Sequence, residues 1–174
     1  MSYYFSICSS AMYQQKYLEF LLEHYNQLHL PYSFPVALSF IASPILMERE
    51  SFLCFNEEHE VIGAFGYIYG TGENDYEDTH IIQMQIVFLQ EEYHGTTVFL
   101  KGLQFLTQYL AQLDQEVTEF HFWAPADAYL RQLFTKIAQK VSSSETAFGT
   151  IDEYHASFSA WRTYAAKFRH EASF

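Results

Sequence analysis

Val61 to Tyr69 reads Val-Ile-Gly-Ala-Phe-Gly-Tyr-Ile-Tyr, nine residues without a charge and apolar on both faces of an extended chain. Too short to cross a bilayer as a helix and rich in β-branched and aromatic residues, the segment predicts an interior strand. An interior strand needs a partner on each side. Ser51 to Phe55 precedes it across Asn-Glu-Glu-His-Glu, and His80 to Leu89 follows it after the Gly-, Asn- and Asp-rich stretch Gly70 to Thr79. The later partner alternates, with Ile82, Met84, Ile86 and Phe88 on one face and Gln83 and Gln85 on the other. Two hairpins in succession predict a three-stranded antiparallel meander.

Amphipathic helices surround it. Tyr17, Phe20, Leu21, His24 and Leu28 recur at steps of three and four between Met12 and Leu28, and Ser9 or Ser10 stands ready as a cap. The uncharged stretch Tyr25 to Met47 is cut by Pro31, Pro35 and Pro44 and by scattered Ser, Asn and His, which argues against a membrane span and leaves a short helix or loop around Val36 to Ile41. Past the meander, Val98, Gly102, Phe105, Leu106, Tyr109, Leu110 and Leu113 line one face of a second strong helix, capped by Thr96 or Thr97. Val117 to Ala124 reads as a strand, Asp127 to Lys140 as a helix and Ser142 to Ser144 as a turn. Thr146 to Ile151 and Tyr154 to Trp161 then read as strands, and Tyr3 to Ile7 as an edge strand at the start. The expected fold class is α/β (α+β): one domain over residues 1–174, with a mixed, mostly antiparallel sheet of six or seven strands flanked by helices.

Charge excludes whole classes of partner. Nine Lys and Arg oppose 21 Asp and Glu, a net of -12, and between Arg49 and Lys101 ten acids occur without one Lys or Arg. Such a surface repels phosphate backbones and anionic lipid, so neither nucleic acid nor membrane is expected as a partner. A cationic small molecule or basic peptide suits it better, beside the plain alternative that the acids only keep the chain in solution. Cys8 and Cys54 cannot make a disulfide framework, and Met-Ser-Tyr-Tyr-Phe lacks the basic-then-apolar order of a signal peptide; a cytoplasmic location is expected. Cys54 reads as a small buried hydrophobe rather than a nucleophile. Among eight histidines no HxxxH or HExxH spacing occurs, and His24 and His29 do not share a helix face, so no metal site is expected. Gly70 to Thr79 has the composition of a calcium loop without its spacing. Tyr154, Phe158, Trp161 and Tyr164 are core or a homodimer contact, with an acceptor pocket as the other option.

The order of elements, centred on Ile86-Val87-Phe88-Leu89-Gln90-Glu91-Glu92-Tyr93-His94-Gly95-Thr96-Thr97, resembles the GCN5-related N-acetyltransferase (GNAT) superfamily. In that family a fourth strand leads through an RxxGxG or RxxGxA loop into a helix whose first amides hold the pyrophosphate of coenzyme A. The resemblance implies acetyl-CoA as acyl donor, bound by Val87, Phe88 and Leu89 of the strand and by His94, Gly95, Thr96, Thr97 and Val98 of the loop and helix head. Asp127 takes the place of an Asn that meets the pantetheine arm, within Asp127-Ala128-Tyr129-Leu130-Arg131-Gln132-Leu133-Phe134-Thr135-Lys136, which is similar to NxxAxxLYxK.

The departures are specific. His94 stands for the Arg, Thr97 for the first Gly, Phe99 for the Gly or Ala, and Phe134 for the Tyr that protonates the departing thiolate. Gln83 and Gln85 stand where other members have a strand Glu, which leaves His121, between Phe120 and Phe122, as the catalytic base to test, against a buried structural histidine. The implied activity is acetyl-CoA-dependent N-acetylation of an amine, a cationic small molecule or peptide. Two alternatives stand beside it: a non-catalytic descendant of the same fold that binds a ligand or protein, and an unrelated α+β domain with an aromatic-lined pocket.

Overall fold

A computed structural model describes residues 3–47, 50–94, 97–113 and 116–172, the last six as backbone alone. Its strands are β1 (Tyr4–Ile7), β2 (Ser51–Phe55), β3 (Val61–Tyr69), β4 (Ile81–Leu89), β5 (Glu119–Pro125), β6 (Gln139–Thr146) and β7 (Gly149–Ser157). Its α-helices are α1 (Ala11–Glu23), α2 (Tyr25–Leu28), α3 (Phe34–Leu46), α4 (Val98–Ala111), α5 (Ala128–Phe134) and α6 (Phe158–Ala172). The seven strands form one sheet in the order β1-β2-β3-β4-β5-β7-β6. No helix among the described residues is long and apolar enough to cross a membrane.

The chain divides into two compact units. The first comprises Met1–Ile68, Met84–Gly95 and Thr146–Gly149. In it β1, β2 and β3 run antiparallel, with Phe5 opposite Cys54 and Leu53 opposite Ala64. β3 is buried along its length except at its two ends, as its lack of charge requires. One sheet face carries Leu53, Phe55, Ala64, Ile86 and Phe88 against Tyr17, Phe20 and Leu21 of α1 and Ile41 of α3. Gly66 is needed there: a Cβ would lie 2.2 Å from the Tyr17 hydroxyl and 2.8 Å from Pro44. Cys8 and Cys54 are buried free thiols, and burial pushes Cys8 up to about 11, which keeps it an unreactive core residue.

In this unit two helices depart from expectation. The predicted run to Leu28 breaks at His24, after which α2 adds one turn and ends on His29 in the left-handed region, φ 49. The loop or short helix expected at Val36 to Ile41 is instead thirteen residues long, with Pro35 in its first turn and Pro44 near its end. Proline in a first turn removes an N–H that has no helical partner. Pro44 leaves the Phe40 carbonyl without its usual donor, and the Ser43 hydroxyl approaches it at 3.4 Å.

The second unit comprises Tyr69–Gln83, Thr96–Glu145 and Thr150–Phe174. β5 and β7 pair antiparallel from Glu119 opposite Ser157 to Pro125 opposite Ile151. β5 buries alternate residues, Phe120, Phe122 and Ala124. Phe120 stacks on Trp161 of α6 at 4.1 Å between ring centroids, and Phe122 on Tyr154 at 5.1 Å. The segment Ser142 to Ser144, expected as a turn, lies inside β6, and Tyr154 to Trp161, expected as one strand, is split: β7 ends at Ser157 and α6 begins at Phe158. The Ser157 hydroxyl accepts the Ala160 amide at 3.1 Å and so starts the helix. α5 is likewise shorter than expected, because its residues past Phe134 turn into β6. Asp152, fully buried, accepts two bonds from Arg131 at 2.7 and 3.1 Å and one from Ser143 at 2.6 Å.

Candidate active site

In the first unit the end of β4 runs into a turn that the side chains themselves secure. The Gln90 amide donates to the Ile62 carbonyl at 3.0 Å, and its side chain meets His24 Nε2 at 3.1 Å. The other nitrogen of His24 lies 2.8 Å from the Phe20 carbonyl, so the last turn of α1 is tied to the start of this turn. Leu89 packs over Gly63, where a Cβ would come within 2.5 Å of it. Phe88 and Leu89 are buried, yet Val87 between Ile86 and Phe88 is 44 % exposed. The expected clean alternation of β4 is therefore replaced: Gln83 is buried, Gln85 donates to Ser43 at 3.1 Å, and the outlet to solvent is at Val87.

His94 is not simply offered to solvent. Its Nε2 donates to the Leu89 carbonyl at 2.8 Å, joining the far end of the turn to the last residue of β4. Gly95 and Thr96, two of the loop residues assigned to the diphosphate, lie outside the described residues.

In the second unit, Thr97 occupies the cap position of α4 in helical conformation, φ -79 and ψ -1, with no bond from its hydroxyl to the helix; capping by Thr97 is not realised. Its carbonyl accepts the Lys101 amide at 3.0 Å. Val98 is fully buried and Phe99 half-buried. α4 buries Gly102, Leu103, Leu106, Thr107 and Leu110, so its inward stripe turns slightly from the one expected through Phe105 and Tyr109. Asp127 caps α5, its carboxylate accepting the Leu130 amide at 3.0 Å. Phe134 sits edge-on to Phe122 and Tyr154, ring centroids 5.0 and 5.3 Å away. No proton donor stands at that position.

The unburied face of β5 carries His121. Its ring lies flat on that of His155, its cross-strand partner, with centroids 3.5 Å apart and planes 2° from parallel. His155 in turn meets Glu153 at 2.6 Å. Burial first, and the facing His155 second, hold the His121 pKa below its ordinary value. Its Nε2 is buried and has no hydrogen-bond partner among the described residues. The Gly70 to Thr79 stretch closes on itself: Asp78 accepts the Thr71 amide at 2.7 Å, the Thr71 hydroxyl at 2.6 Å and Asn74 at 2.9 Å, and is held down to about 2. Those bonds satisfy the Asp78 carboxylate locally and make it part of the turn.

No known family profile matches the chain, and no curated protein matches it in sequence. Solved structures do. An acetyltransferase of the GNAT family from Staphylococcus aureus superimposes with a TM-score of 0.63, over 90% of this chain and 99% of that one, at 12% identity. The chain has the GNAT fold. The loading GNATL domain of CurA from Lyngbya majuscula gives a TM-score of 0.62 over 91% of this chain and 99% of its own, at 12% identity. A spermidine N-acetyltransferase chimera from Vibrio cholerae and hSSAT gives 0.58 over 92% and 98%, at 9% identity. β4, the Gln90–His94 turn and α4 are the strand, turn and helix on which the sequence resemblance is centred.

Proposed function

We propose that this GNAT-fold chain transfers the acetyl group of acetyl-CoA to an amine. The observation that carries the proposal is the local pattern at the end of β4, a strand buried on both faces that opens to solvent at Val87 before the secured turn leading to α4. In this reading the backbone at Val87, Phe88 and Leu89 meets the thioester and its arm, and Thr97 and Val98, at the positive end of a fourteen-residue helix, receive the diphosphate. Thr97, with its hydroxyl unused by the helix, is available to a phosphate oxygen in place of the glycine amide usual there. The amine attacks the acetyl carbonyl, the C–S bond breaks, and the proton of the amine passes to a base; His121, whose Nε2 has no hydrogen-bond partner among the described residues, is the residue we assign that role. The thiolate leaves without help from Phe134. The acids between Arg49 and Lys101, the buried Glu50 apart, favour a cationic acceptor, and a polyamine of the kind named for the Vibrio cholerae neighbour is the first to try.

Acetyl-CoA and CoA at a hundredfold excess over Kd should each raise the thermal midpoint, equivalent to about 2.7 kcal/mol. No shift at millimolar cofactor would remove the proposal. Thr97→Glu, which sets a carboxylate against the diphosphate, is expected to abolish that shift while the melting curve without cofactor stays cooperative.

A second reading, cofactor or ligand binding without turnover, is favoured by three engaged side chains. His94 is bonded to Leu89, Asp127 is spent on capping α5, and Phe134 is packed among Phe122 and Tyr154. Thiol release in the presence of polyamines separates the two: binding with no release above the uncatalysed rate selects the second.

A further inference from the structure

We propose that His121, Glu153 and His155 form a binding site for a divalent transition metal, with Zn2+ the best-matched ion. Antiparallel register sets His121 directly opposite His155, and the two-residue period of a strand sets Glu153 on the same face of β7 as His155. One ligand atom from each residue lies within 4.8 Å of the other two, and this is the one such group of three among the described residues. Two imidazoles and a carboxylate are the donor set that zinc accepts with a further position left for water. Tetrahedral ligands at roughly 2.0–2.2 Å from the ion stand about 3.4 Å from one another. The widest separation must therefore shrink by on the order of 1 Å while the His155–Glu153 contact, 2.6 Å here, widens, both within reach of side-chain torsions.

Two observations separate this group from a chance pairing on a strand surface. His121 Nε2 is buried and takes no hydrogen bond among the described residues, whereas His24 and His94 have ring nitrogens bonded to the carbonyls of Phe20 and Leu89. A buried nitrogen lone pair without a donor is costly, and a metal satisfies it. The surroundings are also anionic, since Glu119 and Asp78 act on His121 together with Glu153. The His155 and Glu153 side chains retain 31% and 22% exposure, so an ion can enter from solvent. Binding tilts the two parallel rings apart, because lone pairs of stacked imidazoles run side by side, and replaces the short contact between His155 and Glu153 with two bonds to the ion.

The ion would occupy the His121 nitrogen assigned above as the base, so the two roles exclude one another in the same molecule; metal binding is tested without cofactor. The full chain, free of any affinity tag and stripped with a chelator, is titrated with Zn2+ by equilibrium dialysis and with Co2+ by visible absorption. One equivalent bound at micromolar or lower concentration, with the intense bands of low-coordinate Co2+, is expected, and His155→Asn and Glu153→Gln should each weaken binding by tenfold or more. Binding only at millimolar metal, or unchanged in both variants, overturns the site. Should the variants fold poorly, imidazole-labelled wild-type protein decides: zinc must move the ring resonances of His121 and His155, and shifts confined to the other six histidines overturn the assignment.

Discussion

Glu50, at the entry to β2, is 8 % exposed, and one of its carboxylate oxygens has no hydrogen-bond partner among the described residues. Burial pushes its pKa from 4.5 up to about 8. The folded chain therefore keeps a proton that the unfolded chain releases between those two pH values, and native stability falls as pH rises through that window. With about 1.36 kcal/mol per pKa unit, full ionisation of the unfolded side chain costs on the order of 5 kcal/mol by pH 8. Glu50→Gln keeps the shape and removes the titration. Its amide brings donors into a buried place at a cost of about 1–3 kcal/mol, but that cost is the same at every pH. Urea unfolding of both proteins at pH 5.5 and pH 8 isolates the effect. The stability of Glu50→Gln relative to wild type should rise by about 3 kcal/mol between the two pH values, the other carboxylates cancelling in the comparison. A relative stability that changes by less than about 0.5 kcal/mol would refute the protonated, desolvated Glu50 and with it the cause assigned to its shift.

Asp152 gives the opposite pH dependence. Arg131 first, and Ser143 after it, hold its carboxyl down to about 2, so its contribution is present above the ordinary 3.8 and disappears as pH falls through about 2. Asp152→Asn should cost about 2–3 kcal/mol at pH 7, less than a wholly buried pair because Arg131 is 43% exposed, and the deficit should shrink in acid-titrated unfolding curves. Gly66→Ala forces a methyl against the Tyr17 hydroxyl and Pro44, and a loss of about 1–3 kcal/mol in denaturant unfolding is expected. Phe134→Tyr restores a phenol at the position of the missing acid; if acetyl transfer operates, thiol release should rise by roughly tenfold or more with cofactor affinity unchanged.

The meander from Ser51 to Leu89 was legible because β3 has no charge and its neighbours are set off by polar turns. α3 was not, since three prolines read as interruption when one of them occupies a first turn and another has a serine beside it to serve the stranded carbonyl. Tyr154, Phe158, Trp161 and Tyr164 fit a strand and a helix about equally by spacing, and the boundary was set by the Ser157 cap and the stack of Trp161 on Phe120. The stretch β4-turn-α4 was visible as an order of elements, but that His94 closes onto Leu89 and Asp127 onto Leu130 depends on turns whose geometry no residue pattern states. Least visible was the company of His121. Its partners are brought beside it by the register of β5 on β7, and a linear search for helical histidine spacings passes over such a pair.

β6 closes one edge of the sheet and is exposed from Gln139 to Glu145. Its residues there are Gln139, Lys140, Glu145, three serines, of which Ser143 bonds to Asp152, and a single valine, so a foreign strand docking along this rim would bury almost no hydrocarbon and would dehydrate charged and hydroxyl groups. This rim thus carries a safeguard against being extended into a fibre.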